Sequence, residues 1–190
     1  DAKILLHHGC MCGGGYGVFI HAAILSEVLG VTIMDKKLFV LAQRAGQFLS
    51  ACGKTVALAE SCTGGLIAAT LTDVTGSSAW FDRGFVTYSN QAKMDMLGVK
   101  PETLQQYGAV SAETVTEMVA GVLAHSSADC AIAVTGIAGP GGGTVEKPVG
   151  TVFVAWQWRG EKVLVMHKKF VGNRQSVRRQ TVRIALMAIL

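Results

Sequence analysis

The sequence has few charged residues, no long apolar run and no regular cysteine pattern, and each absence excludes a class of protein. Asp, Glu, Lys and Arg make up only 16% of the 190 residues while 50% are hydrophobic, which excludes a disordered chain. Glycines and charges interrupt every apolar run before it reaches the ~18 to 20 residues of a membrane helix. The net charge of +4 is mild and not massed, so we expect an anionic small-molecule ligand and neither nucleic acid nor a membrane as partner.

The cysteines do not form a disulfide framework. There are five of them, an odd number without regular spacing, in a chain large enough to build its own core (Cys10, Cys12, Cys52, Cys62 and Cys130). We therefore expect a reduced, cytoplasmic setting. The first two lie close enough to share a metal ion, but no second ligand pair accompanies them, so no metal site is predicted.

The first 33 residues differ in character from the remainder. A glycine-rich stretch, "HHGCMCGGGYG", precedes the apolar "VFIHAAILSEVLGVTI". Met34 then opens a sequence with the features of a natural beginning. We expect residues 1–33 to be a non-native extension, either upstream sequence or a product of cloning, and residues 34–190 to be one domain.

Apolar periodicity predicts an α/β fold. Asp35 precedes a run with apolar residues at three-and-four spacing that ends at Gly53, which is typical of a capped helix. "TVALAE" at 55–60 is a short apolar strand, followed at once by the helical "GGLIAATLTDV". Residues 80–90 are aromatic and β-branched, and residues 129–139 are almost continuously apolar, as in a strand covered on both faces.

The remaining elements complete this pattern. "TVFVAWQW" and "KVLVMHKKFV" flank Arg159-Gly160 and predict a β-hairpin. Helices are predicted after the N-cap residues Asn90, Ser111 and Asn173, and a short one after Pro101. The fold class predicted is a three-layer α/β/α sandwich with a mixed β-sheet.

"ESCTGG" at 60–65 is the first candidate for chemistry. It follows a strand and precedes a helix, where unpaired backbone N–H groups favour developing negative charge. Ser61 there is a candidate nucleophile, and Cys62 competes with it because a helix N-terminus lowers a thiol pKa. None of the five histidines lies in a site-like stretch, which disfavours a histidine base. The alternative is that Ser61 or Thr63 simply caps the helix.

"TYSNQAK" at 87–93 contains a candidate base. With Asn90 as N-cap, Lys93 is the third helical residue, where the helix dipole disfavours an ammonium group. Burial would lower the lysine pKa further and leave an amine that accepts a hydroxyl proton. Tyr88 and Asn90, two apart on a predicted strand, would line the same pocket. The alternative is that Lys93 extends into water.

Two further stretches are suited to binding anions. Five glycines between Gly136 and Gly143 follow a buried strand and offer backbone N–H groups to a phosphate or carboxylate, although the spacing matches neither the P-loop nor the dinucleotide fingerprint. Arg174 and Arg178 share a helix face and could bind a phosphate. A flexible loop and a solvated helix face are the respective alternatives.

The order of these motifs resembles the CinA C-terminal domain family, and more closely its stand-alone bacterial members, the nicotinamide-nucleotide amidohydrolases. The resemblance rests on "AESCTGG", "GSSAWFDRGFVTYSNQAK", "YGAVSAETV", "TGIAGPGGG" with "EKPVGTV", and "GNRQSVRRQ", and covers about residues 36–190. It implies hydrolysis of nicotinamide mononucleotide to nicotinic acid mononucleotide and ammonia in pyridine-nucleotide salvage. It also implies homo-oligomeric assembly and neither a metal nor an organic cofactor.

The resemblance assigns roles to particular residues. It implies Ser61 as nucleophile, Lys93 as base and Tyr88 beside that base. It implies substrate contacts from the turn after the first strand, from the start of the following helix, from "TGIAGP" and from the last helix (Thr63, Gly64, Gly65, Asn90, Thr135, Gly136, Ala138, Gly139, Arg174 and Arg178). Asn173 stands where the family often has aspartate, which leaves the orientation of Arg174 open.

The mechanism expected from these roles has Lys93 take the Ser61 proton while N–H groups near Thr63 to Gly65 hold the oxyanion. Lys93 or Tyr88 then protonates the leaving amine. Two alternatives stay open at this point: a nucleotide-binding module without activity, and an amidohydrolase for another amide.

Overall fold

The computed structural model describes residues 35–190. The expected extension at residues 1–33 and the Cys10–Cys12 pair lie outside the described residues. Six α-helices, one short 3₁₀ helix at Ser77–Ala79 and five strands follow one another within the described range: α1 (Lys36–Cys52), β1 (Val56–Glu60), α2 (Leu66–Thr72), β2 (Phe81–Val86), α3 (Asn90–Leu97), α4 (Pro101–Tyr107), α5 (Ala112–Ala124), β3 (Cys130–Gly136), β4 (Thr151–Trp158), β5 (Leu164–Lys169) and α6 (Arg174–Met187).

The strands form one mixed sheet in the order β2-β1-β3-β4-β5, which confirms the predicted sheet type. β1 pairs in parallel with both β2 and β3, whereas β4 is antiparallel to β3 and to β5. The carboxyl ends of the three parallel strands therefore meet at one edge of the sheet, which is where ligands bind in open α/β sheets.

The two faces of the sheet are covered by different helices, which confirms the three-layer sandwich. On one face, branched side chains such as Leu58 and Ile132 pack in one cluster with α1, α2 and α6. On the other, the strands present alanines to α5, among them Ala59 and Ala133. Small side chains let α5 lie close to the sheet without voids. The two clusters together bury both faces of β1 and β3.

Side-chain caps fix the helix ends where the sequence predicted them. The Asp35 carboxylate accepts from the Lys37 and Leu38 backbone N–H groups at the start of α1, and Gly53 ends that helix in the left-handed region. Ser111 and Asn173 cap α5 and α6 in the same way. No helix within residues 35–190 is both long and apolar enough to span a membrane.

One prediction at the start of α3 was wrong. The strand predicted over residues 80–90 ends at Val86, because its neighbour β1 ends at Glu60 and offers no further ladder partner. The N-cap is Ser89 and not Asn90, since the Ser89 Oγ accepts from the Ala92 N–H. Lys93 is therefore the fourth helical residue, one position later than predicted.

Candidate active site

A cavity of about 220 Å³ lies at the edge where the parallel strands end. It is lined by residues that follow β1 and β2, by the first turn of α3, by the loop before α5, by the end of β3 and the residues after it, and by the first residue of α6 (Ser61, Cys62, Tyr88, Asn90, Lys93, Ala109, Val110, Thr135, Gly136, Ala138 and Arg174). A larger groove of about 680 Å³ lies between α1 and α6, but none of the predicted site residues lines it. The smaller cavity is lined by three buried polar side chains, Ser61, Lys93 and Thr135, and is the candidate site.

Ser61 and Lys93 meet at the floor of this cavity. Ser61 is the first residue after β1, and its N–H donates to the Val134 carbonyl of β3 at 3.1 Å. Lys93 reaches in from the first turn of α3, and its Nζ lies 3.1 Å from the Ser61 Oγ. Only 1% of Lys93 is exposed. A serine hydroxyl and a lysine amine, both buried, therefore share a hydrogen bond at this edge of the sheet.

Two backbone carbonyls orient the Lys93 amine. Its Nζ donates to the Thr87 carbonyl at 2.8 Å and lies 3.5 Å from the Ser89 carbonyl. A neutral amine has two N–H donors and one lone pair, so these two acceptors leave the lone pair for the Ser61 hydroxyl. Burial lowers the pKa of Lys93 below the ordinary value of 10.5. Burial, one of the two causes predicted from the sequence, therefore favours the neutral amine.

Cys62 lies beside this pair but has the opposite character. Its thiol is buried, and burial raises its pKa to about 12. At neutral pH the group is a protonated thiol, whereas a cysteine nucleophile requires the thiolate. The lowered thiol pKa considered from the sequence is therefore wrong.

Glu60 occupies the N-terminus of α2. Its two carboxylate oxygens accept from the N–H groups of Gly65 and Ile67 at 3.1 Å and of Ala68 at 2.8 Å. The Gly64 N–H donates to the Ser61 carbonyl. The expected oxyanion donors at Gly64 and Gly65 are therefore already engaged.

Two backbone donors of this turn are not used by the rest of the protein. Among residues 35–190, the N–H groups of Cys62 and Thr63 donate to no other residue. Cys62 directly follows the serine, which is the position that supplies an oxyanion donor at a nucleophile elbow. We predicted an oxyanion donor near Thr63. Because Cys62 lines the cavity and Thr63 does not, the Cys62 N–H is the donor that the structure leaves available for an oxyanion.

The two arginines predicted as a pair do different things. Arg174 lines the cavity, and its guanidinium donates to the Tyr88 hydroxyl at 2.9 Å and to the Gly139 carbonyl at 3.0 Å. Arg178 instead donates to the Thr63 carbonyl at 2.6 Å and does not line the cavity. Arg174 with Tyr88, which is 59% exposed, forms the mouth of the cavity. Arg178 holds the backbone after Ser61.

The structure brings most of the predicted site residues to the cavity wall. Eight of them line it (Ser61, Tyr88, Asn90, Lys93, Thr135, Gly136, Ala138 and Arg174), and five do not (Thr63, Gly64, Gly65, Gly139 and Arg178). Tyr88 and Asn90 reach it from the β2–α3 connection and the first turn of α3, not from a strand. The glycine-rich run after Pro140 lies outside the cavity wall.

Sequence reasoning missed three contributors. Ala109 and Val110 line the cavity from the loop before α5, which Thr135 holds through a 2.6 Å hydrogen bond to the Ala109 carbonyl. Glu60 does not line the cavity, but its carboxylate binds backbone N–H groups at the end of the turn that contains Ser61. Two features of the sequence could have identified these residues. Gly108 predicts a turn before the capped helix α5, and Glu60 is a carboxylate at the end of an otherwise apolar strand.

Comparison with known proteins gives consistent matches over this region. Residues 39–190 match the family model described as the CinA C-terminal domain. The chain is 53% identical over 156 residues to the nicotinamide-nucleotide amidohydrolase PncC of Enterobacter agglomerans, covering 82% of this chain and 95% of that protein. The protein of the same name from Escherichia coli K12 is 51% identical over 155 residues, with coverages of 82% and 94%.

A solved structure is also similar. The competence/damage inducible protein CihA from Agrobacterium tumefaciens superposes with a TM-score of 0.79 at 51% identity, covering 80% of this chain and 93% of that one. The residues matched by the family model include every residue that lines the cavity.

Proposed function

Because the chain belongs to the CinA C-terminal domain family, we propose that it hydrolyses the carboxamide of nicotinamide mononucleotide to nicotinic acid mononucleotide and ammonia. The observation that carries the proposal is the buried Lys93 amine, 3.1 Å from the Ser61 hydroxyl in a cavity. The names of the relatives supply the substrate, since proteins 51% to 53% identical are called nicotinamide-nucleotide amidohydrolases.

Acylation begins with a proton transfer. The neutral Lys93 amine takes the Ser61 proton, and Oγ attacks the carboxamide carbon to form a tetrahedral oxyanion. The resulting ammonium has three N–H donors, and three oxygens surround it: Ser61 Oγ, Thr87 O and Ser89 O. Both protonation states of Lys93 therefore find partners without rearrangement, as a proton shuttle requires.

The oxyanion is assigned to the backbone N–H group of Cys62, because Cys62 lines the cavity and Thr63 does not. This group follows the nucleophile directly and donates to no other residue within the described part of the chain. Arg178 holds the peptide between Thr63 and Gly64, further along the same turn, through the Thr63 carbonyl. Donors held in place before reaction stabilise developing charge without a cost of reorganisation.

Collapse of the tetrahedral intermediate releases ammonia. The leaving nitrogen takes a proton from Lys93, or from the Tyr88 hydroxyl, which accepts from Arg174 and so keeps its own O–H available. Lys93 is neutral again once it has given its proton to the leaving nitrogen or to the Tyr88 phenolate that formed, and it then deprotonates a water that attacks the ester carbonyl. Ser61 takes its proton back from Lys93, and the product acid gives its own proton to ammonia, so one amide and one water give one carboxylate and one ammonium ion.

The cavity fits the reacting end of the nucleotide better than the whole molecule. Its ~220 Å³ is below the ~300 to 1,000 Å³ of pockets that enclose a complete drug-sized ligand. The pyridinium ring would enter it, and its positive charge makes the carboxamide carbon more electrophilic. The ribose phosphate would lie at the mouth, where Arg174 is the available cation.

Ammonia release from a panel of amides tests this proposal. We expect turnover of nicotinamide mononucleotide, weaker turnover of nicotinamide riboside, and almost none of nicotinamide or glutamine, because the phosphate contact contributes to binding. Nucleotide binding without ammonia would favour the binding module. If another amide were hydrolysed faster, the proposed substrate would be wrong and amide hydrolysis would stay the proposed reaction.

Other expectations accompany this proposal. The product acid would enter pyridine-nucleotide salvage, as the resemblance implies. Cytoplasmic location, homo-oligomeric assembly and a domain spanning residues 34–190 stay predictions.

A further inference from the structure

We infer that Glu60 is a positioning residue for the Ser61 nucleophile, an inference that rests on the proposed function. Glu60 is the last residue of β1 and is only 1% exposed. Burying an acidic side chain is costly unless it is paired or fully hydrogen-bonded. The ion pairs formed within residues 35–190 do not include it. Within the described residues, the hydrogen bonds to this carboxylate all come from backbone N–H groups.

The Glu60 side chain closes the turn that carries Ser61. The carboxylate belongs to the residue before Ser61 and binds the N–H of Gly65, four residues after it. The same group binds the Ile67 and Ala68 N–H groups, so the turn is tied to the first turn of α2. Residues 61–65 are thus held at both ends by one side chain, which fixes the direction of the Ser61 Oγ.

The Glu60 backbone also connects to the base. Its carbonyl accepts from the Thr87 N–H at 2.9 Å, and the Thr87 carbonyl accepts from Lys93 Nζ at 2.8 Å. Because this second link uses main-chain atoms, a change of the Glu60 side chain leaves it intact. Side-chain variants of Glu60 should therefore displace the nucleophile and leave the base in place.

The contacts explain why a carboxylate and not an amide is required. Three N–H donors surround the two oxygens, and each oxygen accepts at least one. In Glu60→Gln, one of these acceptors becomes an NH₂ group that faces a donor. In Glu60→Asp, both oxygens remain but the side chain is shorter by one methylene and does not reach the same N–H groups.

Steady-state kinetics on nicotinamide mononucleotide tests the inference. We expect kcat of Glu60→Gln to fall about 10- to 100-fold, since a displacement of ~1 Å costs about that much, while KM changes less than about threefold. Glu60→Asp should lose about tenfold, and it serves as the second variant if Glu60→Gln does not fold. Wild-type kcat in either folded variant would overturn the inference.

The matched control is Asp35→Ala, which removes two cap hydrogen bonds from α1 outside the cavity. It should lower Tm and leave kcat within about twofold. Equal loss of kcat in this control would also contradict a positioning role.

A second measurement separates this inference from the proposed function. A serine-directed fluorophosphonate should label wild-type Ser61, label Glu60→Gln about 10- to 100-fold more slowly, and not label Ser61→Ala. If the wild type is labelled but releases no ammonia, the substrate proposal fails and the labelling rates alone decide the role of Glu60. Equal rates, or no labelling of the folded wild type, would overturn it.

Discussion

Two glycine-rich segments follow neighbouring parallel strands in this protein, and their structures differ. The Ser61 turn, residues 61–65, is held by Glu60 through its N–H groups and by Arg178 through the Thr63 carbonyl. The glycine loop, residues 137–150, is exposed throughout residues 140–146. Only its start reaches the cavity, through Ala138. Glycine content alone predicts that both segments bind anions. The structure distinguishes them, because side chains hold the Ser61 turn in place and the glycine loop is exposed.

The comparison shows what a rigid catalytic turn requires. Its glycines supply left-handed backbone at Gly64 and Gly65, which other residues rarely adopt. The positions of its peptides are then set by side chains from β1 and α6. We therefore expect catalysis in the Ser61 turn, which side chains hold in place, and not in the exposed glycine loop.

The largest effect is expected from removing either member of the Ser61–Lys93 pair, here called the dyad. Ser61→Ala removes the nucleophile and Lys93→Met removes the base while filling the same space, so each should lower kcat by about 10²-fold or more. Ammonia release measures this directly. Lys100→Met, which changes an exposed lysine, is the matched control and should keep wild-type turnover. Wild-type kcat in either dyad variant would contradict its assigned role.

The two arginines should separate binding from catalysis. Arg174→Ala removes the cation at the cavity mouth, so KM for nicotinamide mononucleotide should rise about tenfold or more while kcat changes little. Arg178→Ala releases the Thr63 carbonyl, so kcat should fall about tenfold at nearly constant KM. Steady-state kinetics with the mononucleotide and the riboside measures both effects. The same pattern in both variants would mean that the arginines act together on the substrate, as the sequence suggested.

A matched glycine pair gives the smallest expected effect. Gly65 has φ of +92°, so Gly65→Ala should cost about 1 to 2 kcal/mol of unfolding free energy and reduce kcat severalfold. Gly141, in the exposed loop, has no atom within 4 Å of an added Cβ and no left-handed φ, so Gly141→Ala should stay within about 0.5 kcal/mol. Chemical denaturation measures both variants. Equal costs would remove the distinction between the two segments.

Much of the fold was predictable because apolar periodicity and capping are local signals. The Asp35, Ser111 and Asn173 caps and the three-layer sandwich follow from them. The shift from Asn90 to Ser89 was not predictable, because strand β2 ends where its partner ends, and that depends on pairing between distant segments. Residue preferences for helix or strand are local, so they do not predict which distant segments pair.

The candidate site shows the same division. Residue type, position and resemblance predicted Ser61 and Lys93 as a catalytic pair, and the structure places their side chains in hydrogen-bond contact. The backbone contacts of the Glu60 carboxylate and the contrast between Arg174 and Arg178 were not predicted. The two arginines are four residues apart on one helix, yet one turn of helix separates the cavity mouth from the back of the Ser61 turn. Which of them meets the ligand depends on how α6 packs against the sheet.

The most direct test of the central claim, that a neutral Lys93 amine activates Ser61, is the pH dependence of kcat/KM. Because the base acts only when unprotonated, the rate should rise with pH, with a midpoint below the ordinary lysine pKa of 10.5. The residual activity of Lys93→Met should lack this rise. A flat profile in the wild type, or the same rise in Lys93→Met, would contradict the claim.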